Sequence, residues 1–66
     1  MKIIINGQEK VLSETCSVQE LLLKLKINID LIVVERNKKI LDKIVYDKTY
    51  LKNGDKLEII RFLGGG

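Results

Sequence analysis

Histidine is absent from this 66-residue chain, and cysteine occurs once, at Cys16. Those two shortages exclude much chemistry. A structural or catalytic zinc of the usual ligands needs imidazoles or several thiolates. An iron–sulfur cluster needs about four cysteines. An internal disulfide needs two. The commonest general base is also missing. Cys16 has no histidine to activate it. A helix entry can lower a thiol pKa, but without a partner base Cys16 reads as a buried or semi-buried spacer. Aromatics number three, Tyr46, Tyr50 and Phe62, too few for a platform that stacks bases. No apolar run approaches the roughly 20 residues of a membrane span. The opening "MKIIINGQ" is too short an apolar stretch for a signal peptide. The expectation is a cytoplasmic protein with no membrane partner, its lone thiol kept reduced.

What remains is enough for one domain. A chain of this length buries only roughly 60% of the surface its unfolded form exposes, so the core is thin and packing alone must hold it. The hydrophobic fraction, 45%, argues against disorder. Twelve basic residues stand against nine acidic ones, giving a net charge of +3 and a pI near 9.1. The lysines are scattered from Lys2 to Lys56, and only Lys38 and Lys39 adjoin. That pattern suits a solvated surface, with no nucleic-acid partner expected. The alternative, a free-standing RNA-binding module, would show salt-sensitive affinity.

"KIIINGQEKVL" reads as a hairpin, with strands near 2–5 and 10–13. Asn6-Gly7 suits a type I′ turn, whose two central residues need positive φ. "SVQELLLKLKIN" reads as a helix over 18–27. Ser17 and Glu20 form a capping box, Val18, Leu21, Leu22 and Leu25 make one apolar stripe, and Asn28 is the expected left-handed terminator. "LIVVERN" reads as a strand, "NKK" as a tight turn, "KIL" as a short strand, and "DKIVYDKTYL" as a helical turn or loop. Asn53-Gly54-Asp55 turns into a last strand over 56–62. Leu57 and Ile59 share one face of it, Ile60 and Phe62 the other. The order β-β-α-β-β-β implies an α+β fold of the ubiquitin-like β-grasp kind: a mixed sheet of four to five strands with one helix on one face.

The carboxylates are dispersed, and Asp55 in "NGD" reads as a turn former, because no second acid sits at ligand spacing. The glycines of "EIIRFLGGG" precede no helix that would present phosphate-binding N–H groups. The chemistry therefore falls on the terminus, expected as a flexible tail at 64–66 after a domain over 1–63. Attaching AMP to the Gly66 carboxylate, at the expense of ATP in a partner enzyme, would make an acyl adenylate open to attack. Glycines without Cβ atoms can thread a narrow tunnel and leave the carbonyl unhindered. Ile60, Phe62 and Leu63 could anchor such a tail on a partner. From the residues alone, a terminus without function stays open beside this carrier reading.

The pattern "LKNGDKLEIIRFLGGG", with "IIINGQ", "SVQELL" and "IVVERNKKIL" before it, resembles the sulfur carriers of thiamine biosynthesis over essentially the whole chain. A tryptophan seen in some relatives within "DKIVYDKTY" is missing. The resemblance implies a carrier that is not itself an enzyme and binds no cofactor. An E1-like adenylating enzyme, using ATP and Mg, would activate Gly66. A sulfurtransferase or desulfurase system would convert it to a thiocarboxylate, and thiazole synthase would receive the sulfur. The family's tail maps onto Gly65 and Gly66, with Gly64 as a further shared glycine. Carriers for molybdopterin or tRNA thiolation share the Gly-Gly ending and are the alternative.

Overall fold

The structure, a computed structural model, describes residues 1–62. Asn6 and Gly7 adopt φ of 49° and 81°, the left-handed pair that a type I′ turn requires. The turn is so tight that Ile5 faces Gln8 directly. Strand β1 (Lys2–Ile5) is thus followed at once by β2 (Gln8–Val11), which begins two residues before the sequence reading placed it. All of β2 is exposed. It lies at the sheet edge, where Glu9 and Lys10 deter further strand pairing.

Helix α1 (Val18–Lys24) starts as its capping box predicts. The Ser17 hydroxyl accepts from the Glu20 N–H, and the Glu20 carboxylate accepts from the Ser17 N–H. Its end differs from the expectation. Leu25 caps the helix, and Lys26, not Asn28, takes the left-handed conformation at φ 58°. The Lys26 N–H donates to Leu23 and the Ile27 N–H to Leu22, which is the Schellman pattern. Asn28 instead caps the 3-10 turn Ile29–Leu31, its side chain accepting from the Asp30 N–H. The early stop turns Ile27 and Ile29 back onto the core.

Strand β3 (Ile32–Arg36) and the two-residue β4 (Lys39–Ile40) form the second hairpin. Asn37 and Lys38, both at positive φ, make its turn. The segment "DKIVYDKTY" contains the 3-10 turn Lys43–Val45. It also delivers Tyr46 to the interior, where the phenolic oxygen accepts from the Val34 N–H. β5 (Lys56–Arg61) closes a five-stranded sheet of order β2-β1-β5-β3-β4. It runs parallel to β1 and antiparallel to β3. One face of the sheet carries Ile3, Ile5, Ile32, Val34 and Leu57, which join Val18, Leu21 and Leu22 of α1 in a single core. The mixed sheet under one helix is the β-grasp arrangement. No helix among the described residues is long and apolar enough to cross a membrane.

One buried charge ties this architecture together. Asp55 is only 5% exposed. Its carboxylate accepts from Arg36 Nε at 3.0 Å, Asn37 Nδ2 at 3.1 Å and the Lys52 N–H at 2.8 Å. The end of β3, the β3–β4 turn and the approach to β5 are thus pinned to one side chain. Burial pushes the Asp55 carboxyl up, but those three donors and the Arg36 charge outweigh it and hold the group below its ordinary range.

Two outcomes follow for stability. Because the folded pKa of Asp55 is lowered, its stabilisation is complete above the unfolded value of about 3.9 and fades as pH falls through the folded value. Asp55→Asn therefore lowers stability at neutral pH by about 2 kcal/mol, and the deficit shrinks at acid pH; denaturant melts at both pH values measure it. Lys26→Gly relieves a left-handed lysine and raises the melting temperature, by about 0.5–1 kcal/mol of stability; calorimetry checks the sign.

Candidate functional site

The sequence reading puts apolar residues on both faces of β5. The strand is central, but only one face is covered. Alternation sends Leu57 and Ile59 toward the helix and Lys56, Glu58 and Ile60 to the opposite side. The cross-strand register sets Val33 of β3 beside Ile60, and Val33 is half-buried. Ile60 is 48% exposed and Phe62 52% exposed. The Phe62 N–H donates to the Leu31 carbonyl at 2.8 Å, so the ladder continues one residue past the strand and fixes the Phe62 backbone. Leu31 is itself exposed. An apolar patch of Ile60, Phe62 and Leu31 therefore lies at the end of β5 from which the chain leaves. Contiguous exposed apolar groups of this kind mark interaction surfaces. Leu63, Gly64, Gly65 and Gly66 lie outside the described residues.

Sequence reasoning paired Ile60 with Phe62 but missed Asn6. It assigned Asn6 to the hairpin turn alone. The structure gives its side chain a second task. Asn6 Oδ1 accepts from the Ile59 N–H at 2.8 Å, and Asn6 Nδ2 donates to the Ile59 carbonyl at 3.4 Å. The side-chain amide replaces a peptide unit of β1 just where the strand turns away. The signal was present in part, since asparagine both tolerates positive φ and carries an amide that bonds backbone. The long-range partner was not readable.

Cys16 is buried in the core. Burial pushes its thiol pKa up, with Glu20 and Glu14 adding to the rise and Lys24 opposing it. A thiol held protonated is a poor nucleophile, which agrees with the spacer role. No group of three or more metal-ligating side chains occurs among the described residues.

Known proteins identify this arrangement. The ThiS family matches residues 3–66. The sulfur carrier protein ThiS of Bacillus subtilis is 36% identical over 63 residues, covering 94% of this chain and 96% of that protein. A thiazole synthase of Paramagnetospirillum magneticum is 42% identical over 66 residues, which are all of this chain but 20% of that protein. The chain thus spans about a fifth of the thiazole synthase it matches. The crystal structure of the thiamine biosynthesis protein ThiS from Geobacter metallireducens superimposes with a TM-score of 0.87 at 35% identity, covering 100% of both chains. The chain belongs to the ThiS family of sulfur carrier proteins, in its ubiquitin-like β-grasp form.

Proposed function

We propose that this chain carries sulfur for thiamine biosynthesis as a thiocarboxylate on Gly66, charged and discharged by partner enzymes. The observation that carries the reading is the exposed Ile60–Phe62 pair at the end of β5, directly before "LGGG". A rigid central strand presents a hydrophobic dock, and side-chain-free residues follow it in sequence. Family membership supports the same role, and the names of the relatives favour thiamine over molybdopterin or tRNA thiolation.

The chemistry runs in three steps. In an E1-like adenylating enzyme, a Gly66 carboxylate oxygen attacks the α-phosphorus of ATP, bound with Mg, and pyrophosphate leaves. The terminal sulfur of a persulfide on a sulfurtransferase or desulfurase then attacks the acyl carbon and AMP departs, leaving an acyl disulfide. A partner thiol cleaves it to the thiocarboxylate, forming a disulfide between the two partner sulfurs. The resulting thiocarboxylate gives up its sulfur to thiazole synthase, the activity named in the relatives that contain a domain like this one. The carrier supplies no catalytic group. Its contribution is a docking surface, with Ile60, Phe62 and Leu63 as anchors, and an end of Gly64, Gly65 and Gly66 narrow enough to reach a buried site. We place these steps in the cytoplasm, where Cys16 stays reduced.

Incubation with the adenylating enzyme, ATP, Mg and a sulfur donor gives an intact mass in which sulfur has replaced one oxygen. Deleting Gly66 abolishes that gain without changing the melting temperature; a deletion variant that still loads would overturn Gly66 as the carrier residue. Phe62→Asp weakens binding to the adenylating enzyme by roughly tenfold or more, as loss of an aromatic anchor should. Titration calorimetry measures it, and unchanged affinity removes Phe62 from the dock.

A further inference from the structure

β1 ends before β5 does. Their parallel register pairs Ile5 with Leu57, while β5 continues to Arg61. The Asn6 N–H still donates to the Leu57 carbonyl at 2.9 Å. A parallel ladder would next have the Asn6 carbonyl accept from Ile59, but Asn6 has entered the turn with φ 49°. Its side-chain amide takes over and satisfies both the N–H and the carbonyl of Ile59. That amide fills one rung of the ladder, and the next rung on this side belongs to Arg61.

On its other side β5 meets β3. The bonded positions of that antiparallel ladder include Phe62 with Leu31 and Lys56 with Asn37. Arg61, opposite Ile32, is therefore in a non-bonded position, with its N–H and C=O directed away from β3. They point into the row that β1 would occupy had it not turned back. No hydrogen bond among the described residues reaches them. The Arg61 side chain is exposed and takes part in none of the ion pairs among the described residues. On the opposite face stand the exposed Ile60 and Phe62.

We propose that Arg61 is the start of a strand-addition site: an extended segment of the adenylating partner pairs with its N–H and C=O, in line with β1 and beyond the Asn6-Gly7 turn. This rests on the carrier reading and specifies how the partner grips the chain beside the tail. The chemistry of both sides defines the occupant. Alternate side chains of an added strand face opposite ways. Those on the open face meet Ile60 and Phe62 and are apolar; those on the other meet the Arg61 guanidinium and include a carboxylate. Asn6 sets the register, because its amide already occupies the rung at Ile59 and keeps an incoming strand from pairing further back.

The test is amide hydrogen exchange by NMR on the full chain, free and saturated with the adenylating enzyme and ATP-Mg. The Arg61 amide should exchange rapidly in the free protein and at least about tenfold more slowly in the complex, with the Ile59 amide protected in both. Arg61→Glu, which leaves the backbone rung in place but reverses the charge, should weaken binding about fivefold or more with no change in melting temperature. A wild-type chain that binds and loads while its Arg61 amide exchanges as fast as before overturns the strand addition and leaves the carrier reading standing. A wild-type chain that does not load overturns both.

Discussion

The position of β5 between β1 and β3 is the constraint on which the rest depends. It joins the first strand of the chain to the last, so the two hairpins become one sheet only when β5 inserts between them. This pairing is the most non-local in the molecule and carries the highest closure entropy. Burial of Leu57 beneath α1 rewards it, as does the Asp55 carboxylate, which gathers Arg36, Asn37 and Lys52 at the start of the strand. Removing a central strand would leave two hairpins, neither of which is stable alone in water.

That placement has a functional consequence. In the carrier role proposed above, a chain end delivered into another protein is best launched from a fixed point. β5 is bonded on one side by β3 along its whole length and on the other by β1 and the Asn6 side chain. The Phe62 backbone is still held by Leu31. Rigid presentation lowers the entropy that a partner must remove on docking. The one face left uncovered is the face that carries Ile60 and Phe62. With a single helix and a thin core, a domain of this size covers one side of its sheet, and the other becomes available for recognition.

Local rules made much of this legible. The capping box at Ser17 and Glu20, the Asn6-Gly7 turn and the pairing of Ile60 with Phe62 each depend on residues a few positions apart. The second strand was placed late because the turn consumes only two residues. The helix was read as too long because its apolar stripe continues through Leu25, while the backbone reverses at a left-handed Lys26 that no propensity favours. Core contacts of Ile27 and Ile29 compensate for that strain. Tyr46 lay in the least patterned segment and proved fully enclosed, which only the folded context of Val34 explains.

The sequence by itself determined the chemical class. Without histidine, with one thiol and with dispersed carboxylates, it offered no readable catalytic constellation, and the run of glycines after Leu63 drew attention to the tail. It also determined the order of elements and which residues alternate across the last strand. The tertiary structure alone decided which of β5's faces is covered, that Asp55 is a buried hub as well as a turn residue, and that Asn6 extends β1 through its side chain. Each of these joins residues separated by up to 53 positions, and periodicity carries no information at that range. Hydrogen-bond satisfaction and burial select among such pairings, and both are properties of the closed sheet.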